Sequence, residues 1–411
     1  MKMIGAIALS AILFAGSLAS IVYTKRTNNY LREGPGAYYK LISILPLNEK
    51  LEIIEKENSW LKVKTVTEAV GWLAENSISK LAASDDIVSE LSKTWSSKSA
   101  SKSGLAAAIK GLKGKSESNI AGDTDSLLAL LDMDITGSEL SRFYRQVNNA
   151  NSSNRGLVDT DDLDLDDPQY NPDLSEQQIG FGVASRLAME GVIKNSSLTK
   201  YVNLIAQCLV ANSPFYDWEF NVLILDSKNH DGYACPGGYI FITAGAIKSC
   251  KDEAELASII AHEISHVIRR HGLEEMTKRE THIKMDEAFN ELDKDTGDND
   301  KVVEELENLM LSSYERIVHD RLLDYEVEAD QIASVLCANT GYDPFGIVRV
   351  TRRFSGMYEK SDDIFDDAYL SKNDLAIRAD KISEFVEDEY SRENAGAVLD
   401  ERFIQFKNLI N

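Results

Sequence analysis

One short motif in the sequence has residue types that could hold a metal ion: His262-Glu263-Ile264-Ser265-His266. On an α-helix, residues four apart lie one turn apart on one face, so both imidazoles can bind the same ion. Glu263 is then close enough to reach a water molecule at that ion. The alternative is two core histidines with an incidental glutamate. It requires the Glu263 carboxylate to be buried without a partner, which is costly.

A helix is predicted around this motif, from Asp252 to His271. Asp252 and Glu255 are spaced like a capping box, which favours a helix start. The apolar residues that follow recur at helical spacing and form one stripe: Leu256, Ile259, Ile260, Ile264, Val267 and Ile268. The motif is therefore predicted to lie within an amphipathic helix.

A catalytic zinc site usually has three protein ligands, so one more residue is expected beside the two histidines. The candidates are His271, His282, His319 and a downstream carboxylate. His271 follows His266 by five residues, which places it about 140° around a continuing helix. That angle excludes His271 from the site.

The downstream carboxylates lie in residues 324–333, DYEVEADQIA, within a predicted helix from Val302 to Asn339. Glu326 and Asp330 are four residues apart, so one can bind a metal while the other orients a histidine ring. The spacing alone leaves Glu328 open as the ligand.

The charge balance and the cysteine count exclude several classes. Asp and Glu number 67 against 44 Lys and Arg, a net charge of −23. Such an acidic surface repels phosphate backbones, so no nucleic acid partner is predicted. The four cysteines are too few for a disulfide scaffold, and no CxxC pair exists for a thiolate zinc site: Cys208, Cys235, Cys250 and Cys337.

Residues 1–23 are predicted to be a signal peptide or a single membrane anchor. Lys2 precedes a long uncharged stretch, small residues occur at Ser17 and Ala19, and Lys25 and Arg26 follow. No cysteine lies near Ala19, which excludes a lipoprotein anchor. Export is therefore predicted, with most of the chain in an extracytoplasmic space and with residues 3–23 as the tether if they are retained.

Two further regions precede the helical part of the chain. Residues 24–80 contain strand-sized apolar runs between polar turns and predict a small all-β barrel. Residues 81–173, rich in Ser and Lys and then in Asp, are typical of a linker, with a helical segment over 126–147. A calcium loop starting at Asp159 is excluded, because positions six and twelve are Asp164 and Tyr170 rather than Gly and Glu. We expect the barrel to be separable from the rest.

Residues 174–411 are predicted to form one α+β domain that is mostly helical with one strand pair. The predicted strands are Phe220–Leu225 and Tyr239–Thr243. The predicted helices are Ser175–Met189, Leu198–Ala211, Asp252–His271, Val302–Asn339 and Arg378–Glu389.

Residues 24–80 resemble a bacterial Src-homology-3-like domain. The resemblance is carried by Leu31-Arg32-Glu33-Gly34-Pro35-Gly36, by Trp60-Leu61-Lys62-Val63 and by Gly71-Trp72-Leu73. It implies a binding or targeting module for a cell-wall or other envelope ligand.

The helical domain resembles metallopeptidase family forty-eight, which includes CAAX-prenyl endopeptidases and bacterial quality-control proteases. The motifs are HEISH, EVEAD, ANTGYDP and ACPGGYIFITAGAI, spread over about 175–389. The resemblance implies a zincin-type catalytic domain with one Zn²⁺ per chain. It assigns His262, His266 and Glu326 as metal ligands, Glu263 as the catalytic base, and Asp330 as the residue that orients a histidine.

The resemblance also implies that the PGG-containing strand lines the substrate cleft, through Pro236, Gly237, Gly238 and Tyr239. We expect an extended substrate to pair its backbone with the edge of Tyr239–Thr243. One departure concerns a His-Pro pair that the family often carries before a late helix. It is absent from Lys372–Arg378, which leaves His319 and Arg378 as candidates for an oxyanion-stabilising role.

These features predict a zinc-dependent endopeptidase that hydrolyses proteins in the bacterial cell envelope, in protein quality control. Two alternatives remain. One is a non-catalytic, chaperone-like or envelope-binding protein that uses the Src-homology-3-like module. The other is a zinc hydrolase of cell-wall peptides. Only residues 1–23 are apolar enough to span a membrane, which excludes the many-helix topology of the prenyl proteases.

Overall fold

The computed structural model describes residues 21–80, 123–150, 174–273, 322–357, 372–390, 392 and 396–410, with Leu311, Ser313, Tyr314 and Ile317. Short gaps within these ranges fall at 26–28, 36–38, 40, 58–59, 132, 134, 214 and 217. Most of the predicted leader, His282 and His319 lie outside the described residues. Within the described ranges, no helix is both long enough and apolar enough to cross a membrane.

The N-terminal unit is a sheet of seven strands. They are β1 (Ile21–Thr24), β2 (Asn29–Arg32), β3 (Leu41–Leu45), β4 (Lys50–Glu57), β5 (Trp60–Thr65), β6 (Val70–Ala74) and β7 (Ile78–Ser79). The order is β3-β2-β6-β5-β4-β1-β7, and all neighbours are antiparallel. Buried Leu51, Leu61, Val63 and Leu73 fill its interior. This architecture confirms the predicted small all-β, Src-homology-3-like unit.

Strand β1 begins inside the predicted leader. Val22 is opposite Leu51 of β4, and Tyr23 is opposite Ser79 of β7. Val22 and Thr24 are buried in the sheet. The β unit therefore includes Ile21–Tyr23, which the sequence analysis assigned to the leader.

The remainder is mostly helical around a small sheet, which confirms the α+β prediction. Its helices are α1 (Thr124–Leu131), α2 (Gly137–Ala150), α3 (Leu174–Leu187), α4 (Ser196–Ala211), α5 (Ala244–Ser249), α6 (Glu253–Arg269), α7 (Leu323–Thr340), α8 (Phe345–Met357), α9 (Lys372–Glu389) and α10 (Asp400–Lys407). Its strands are β8 (Asn221–Leu225), β9 (Gly232–Cys235) and β10 (Tyr239–Thr243).

Strand β10 is the centre of the small sheet, whose order is β8-β10-β9. It pairs in parallel with β8 and antiparallel with β9. The predicted free edge at Tyr239–Thr243 is therefore wrong, because both sides of that strand already have partners. Gly232–Cys235, which is not among the predicted strands, forms the strand at one edge.

Helices α1 and α2 fall in the predicted linker, yet they pack on the helical unit. Leu127 and Leu130 of α1 are buried with residues of α3. Phe143 of α2 contacts the Tyr201 ring of α4, with centroids 6.1 Å apart. Their apolar stripes explain this docking, since each buries its apolar face against a neighbour.

Helix α7 is shorter than predicted. Leu322 has an extended backbone, so the helix starts at Leu323 and the predicted span from Val302 is not continuous there. The end is as predicted: Gly341, with φ of 103°, caps it in the left-handed conformation that favours glycine. The sequence prediction missed α5, α8 and α10.

The two units share a core. Leu41 of β3 is buried in the same apolar cluster as Leu140 and Phe143 of α2. Tyr30 and Ile44 pack against that cluster. The β unit is therefore docked on the helical unit, unlike the separable module that the linker composition predicted.

Candidate metal centre

Helix α6 positions the HEISH motif in the middle of the core. Oδ1 of Asp252 accepts a hydrogen bond from the Glu255 amide at 2.9 Å, and Oε2 of Glu255 accepts one from the Lys251 amide at 2.7 Å. These bonds satisfy backbone donors at the helix start, in agreement with the predicted capping. Every side chain from Glu253 to Ser265 is buried. The motif is thus held by surrounding elements on all sides.

Three side chains bring their ligand atoms together. Nε2 of His262 lies 3.0 Å from Nε2 of His266. Glu326, on α7, places Oε2 3.2 Å from the first nitrogen and Oε1 3.3 Å from the second. Two zinc bonds of about 2.0–2.1 Å at a tetrahedral angle separate their ligand atoms by about 3.3 Å. The donor types and spacing fit a metal such as zinc, and in the described part of the chain this is the group that could hold one.

Asp330 orients one of the two rings. Its Oδ1 lies 2.8 Å from Nδ1 of His262, on the side of the ring opposite the ligand nitrogen. A carboxylate in this position fixes the ring and keeps the proton on Nδ1, which leaves Nε2 free for a metal. This is the placement that the sequence prediction gave to Asp330.

Glu263 lies at the boundary between α6 and strand β9. Its side chain is 3% exposed, and a Cβ added to Gly232 would overlap its Oε1. The strand can approach the helix this closely only because residue 232 has no side chain. Glu263 thus follows the ligand candidate His262 directly in the chain, and its carboxylate is buried against strand β9.

Comparison with known proteins agrees with this geometry. Residues 193–385 match Peptidase family M48, and residues 27–79 match the Bacterial SH3 domain. The chain carries an M48 peptidase domain.

The relatives of this M48 domain are named as proteases. Mitochondrial metalloendopeptidase OMA1 of Arabidopsis thaliana is 29% identical over 168 residues, 40% of this chain and 30% of that protein. A putative beta-barrel assembly-enhancing protease of Vibrio cholerae is 33% identical over 91 residues, 21% of this chain and 19% of that protein. Its Yersinia pestis counterpart is also 33% identical over 91 residues, 22% of this chain and 19% of that protein. The chain thus spans less than a third of each of these relatives.

Arg378, on α9 of the M48 domain, neutralises the carboxylates of the site. Its Nε and Nη2 lie 2.6 and 2.8 Å from the two oxygens of Asp330, and its Nη1 lies 2.7 Å from Oε2 of Glu326. Burial acts to raise the pKa of Glu326, but Arg378 and His266 outweigh it and hold that pKa well below its usual range. Arg378, one of the two candidates for an oxyanion-stabilising role, therefore lies at the site, where its guanidinium contacts two carboxylates.

The charge of the site favours a cation between its ligands. Burial and Arg378 act to lower the pKa of His262, but the carboxylates of Asp330 and Glu326 outweigh both and raise that pKa to about 9. Without a metal, the His262 ring is therefore positively charged at neutral pH, because it carries a proton on both nitrogens. A metal ion can take the place of this proton.

His271 is close to the site after all. Helix α6 ends at Arg269, and Arg270 takes a left-handed conformation with φ of 58°. The chain therefore leaves the helix path, and Nδ1 of His271 lies 2.8 Å from Nδ1 of His266. The 140° argument assumed that the helix continues. Burial and His266 lower the pKa of His271 to about 4.

Glu328, which the spacing left open as a ligand, points away from the three-residue ligand group. Its Oε2 lies 3.1 Å from Nε2 of His271, and its Oε1 lies 3.0 Å from Nε of Arg269. Between the two open carboxylates, the structure therefore brings Glu326 to the histidines and not Glu328.

The PGG turn of the M48 domain is covered by helix α3. Gly237 and Gly238 have φ of 69° and 90°, a conformation that favours glycine. Tyr239 is 6% exposed and its ring packs edge-on against Phe181 of α3. Pro236 and Gly238 are also buried. The predicted cleft residues thus contact α3, and the strand that lies against Glu263 is β9.

Proposed function

We propose that this protein is a zinc-dependent endopeptidase that cleaves protein substrates in the bacterial cell envelope, in protein quality control. One observation carries the proposal. A buried helix presents two histidine nitrogens and a glutamate next to a carboxylate from a second helix, and an edge strand lies beside them. The names of the relatives, metalloendopeptidase and beta-barrel assembly-enhancing protease, support this proposal.

His262, His266 and Glu326 would hold the ion, one per chain, with Asp330 and Arg378 fixing two of these ligands. When bound, zinc supplies Lewis-acid polarisation of the scissile carbonyl and lowers the pKa of a water molecule in the site. With three protein ligands, such a site would leave room for a water molecule or the substrate carbonyl.

Glu263 is the proton carrier in this mechanism. Its carboxylate accepts the proton of the attacking water and then gives it to the leaving amine. Burial of Glu263 against β9 keeps bulk water from competing for that proton.

The outer edge of β9 is the substrate position that we propose, in place of the Tyr239–Thr243 edge. Within the small sheet β9 has β10 on one side, and Gly232 of β9 touches the base. An extended peptide that pairs with this edge gains main-chain hydrogen bonds, which give affinity with little sequence preference. This fits unfolded or damaged proteins as the substrate class.

The envelope location rests on the leader predicted from the sequence, of which Ile21–Tyr23 belong to β1 instead, and on the relatives named for β-barrel assembly. We propose that the SH3 domain recognises a cell-wall or other envelope ligand through a surface that the M48 domain leaves open. The surface near Tyr30 and Leu41 is not available for this, because it packs on the M48 domain.

The test is proteolysis of unfolded casein by the purified protein, with and without a chelator and after zinc is restored. Glu263→Gln keeps the ligands and should keep the zinc, but it cannot accept a proton. Loss of a general base costs about 10²–10⁴-fold in rate. Glu401→Gln, on the exposed face of α10, is the matched control and should cleave like the wild type.

Each alternative has its own outcome. Cleavage by Glu263→Gln within a few-fold of the wild type shows that Glu263 is not the base. A wild type that binds zinc and casein but cuts nothing favours the non-catalytic clamp. Cleavage of cell-wall peptides without cleavage of casein favours the cell-wall hydrolase. Elemental analysis of the purified protein shows whether the metal is zinc.

A further inference from the structure

Behind His266, on the side of its ring away from the ligand group, lies a second histidine and then a carboxylate. Nε2 of His266 faces His262 and Glu326. Nδ1 of His266 is 2.8 Å from Nδ1 of His271, and Nε2 of His271 is 3.1 Å from Oε2 of Glu328. The three side chains therefore form a continuous hydrogen-bonded chain that leads outward from the ligand group.

The donors and acceptors of this chain agree with a metal-binding His266. A neutral histidine that binds a metal through Nε2 carries its proton on Nδ1. That proton is donated to Nδ1 of His271, which must then be an acceptor and carries its own proton on Nε2. The second proton is donated to the Glu328 carboxylate. Each bond has one donor and one acceptor, and all point in the same direction.

Neighbouring residues hold the chain in place. The His271 ring stacks on Tyr325, with centroids 4.2 Å apart and planes inclined by 3°. Arg269 binds the second oxygen of Glu328 at 3.0 Å. Tyr325 is adjacent to the ligand Glu326, so the stacked ring is tied to both helices that supply ligands.

We propose that His271, backed by Glu328, is a positioning residue that fixes the tautomer and ring orientation of His266 and thereby strengthens metal binding. Asp330 provides the same support to His262 directly. His266 would receive this support from Glu328 through the imidazole of His271. This inference rests on the proposed metal site.

His271→Phe is the test, because phenylalanine can keep the stacking on Tyr325 but cannot accept the Nδ1 proton. We expect zinc affinity, measured by competition with a chromophoric chelator, to fall by about 10–100-fold, the usual effect of losing such a partner. His230→Phe is the matched control, since His230 is a half-buried histidine that packs on Phe354 in the same domain. Its zinc affinity should stay within twofold of the wild type.

Two further measurements separate positioning from loss of structure. Asparagine at 271 can place an oxygen near the position of Nδ1, so His271→Asn should recover part of the lost affinity. Glu328→Leu should weaken zinc binding, and Glu328→Gln, which keeps an acceptor, should weaken it less. The visible spectrum of the Co²⁺-loaded protein should change in His271→Phe and not in His230→Phe, because it reports the ligand field of His266.

The inference is overturned if folded His271→Phe and Glu328→Leu both bind zinc within twofold of the wild type. It is also overturned if Asn and Phe at residue 271 are equally impaired while Glu328→Leu is normal. The proposed function is tested separately, by hydrolysis. A wild type that binds zinc but hydrolyses nothing contradicts the peptidase function, and the affinity comparison still decides the role of His271.

Discussion

Arg32, on β2 of the SH3 domain, donates a hydrogen bond from Nη2 to the carbonyl oxygen of Ala211, the last residue of α4 in the M48 domain. Its Nη1 donates to the Tyr39 carbonyl at 3.1 Å. The guanidinium lies 5.8 and 5.3 Å from the ring centroids of Tyr30 and Tyr216. The side chain is fully buried. A cation at a helix C-terminus also interacts favourably with the helix dipole, so this contact links the two domains.

Replacing this arginine should destabilise the whole protein. Arg32→Met keeps much of the apolar stem but removes the donors, which leaves the Ala211 carbonyl buried without this bond. We expect a loss of about 2–4 kcal/mol in the free energy of unfolding, measured by urea denaturation. Arg142→Met, on the exposed side of α2, is the control and should change stability by under about 0.5 kcal/mol. Equal stabilities would show that the domains do not depend on this contact.

Deletion of residues 21–80 should harm the M48 domain, contrary to what the linker-like sequence after residue 80 suggests. It would expose the part of the apolar cluster that Leu41, Tyr30 and Ile44 cover. We expect a lower midpoint of thermal unfolding and binding of a hydrophobic dye, because exposed apolar patches of this kind promote association. A truncated chain that melts and cleaves casein like the full chain would restore the separable-module view.

Metal content should separate the two carboxylates of α7. Glu326→Gln replaces a ligand oxygen that lies 3.2–3.3 Å from both histidine nitrogens, so most of the zinc should be lost. Glu328→Gln should be fully loaded at saturating zinc, because Glu328 contacts His271 and Arg269 instead. Elemental analysis after gel filtration gives the answer. Zinc retained in the first variant and lost from the second would reverse the ligand assignment.

Arg378→Met should destabilise the metal-free protein far more than the zinc-loaded protein. The buried carboxylates of Glu326 and Asp330 lose their cation, a change that typically costs about 3–5 kcal/mol. A bound metal supplies positive charge in its place, so zinc should raise the melting temperature more in the variant than in the wild type. Arg392→Met, which removes an exposed ion pair with Glu387, should leave both forms nearly unchanged. An equal zinc response in Arg378→Met and the wild type would contradict this account.

Glu255 should contribute to acid sensitivity. Burial acts to raise its pKa, but hydrogen bonds from Arg353 and the Lys251 amide outweigh it and hold the pKa below the ordinary 4.5. The stabilisation by the ionised carboxylate is thus complete above about pH 4.5, the unfolded-state pKa, and is lost as the pH falls through the lower folded-state pKa. Urea unfolding from about pH 7 to pH 3 should show Glu255→Gln as the less stable protein at pH 7, with a difference that shrinks below about pH 4.5. A difference that is constant with pH would exclude this role.

Local patterns predicted the elements whose signals lie in consecutive residues. The capping pair Asp252 and Glu255 and the apolar stripe predicted α6, and the strand-sized runs predicted β4, β5 and β6. The i and i+4 spacing of Glu326 and Asp330 predicted that one binds the metal and the other orients a histidine ring, but not which residue does which. The resemblance to the family then assigned the two roles, and the geometry places the two residues accordingly.

Features that depend on tertiary contacts were not predictable in this way. The return of His271 to His266 follows from a left-handed arginine, Arg270, a conformation that composition does not signal. Arg378 reaches His262 across 116 residues, and no periodicity connects the two. The central place of β10 depends on a third strand that begins with glycine, a residue with low strand propensity.

Gly232 matters to the proposed mechanism because it has no side chain. The Glu263 carboxylate, which would take a proton from water and give it to the leaving amine, lies where a methyl group at residue 232 would be. Even alanine, the smallest chiral residue, would push the base or the strand aside. In the proposed mechanism, a variant that adds a side chain at residue 232 would therefore lose turnover while its metal ligands stay in place, although residue 232 itself carries no reactive group.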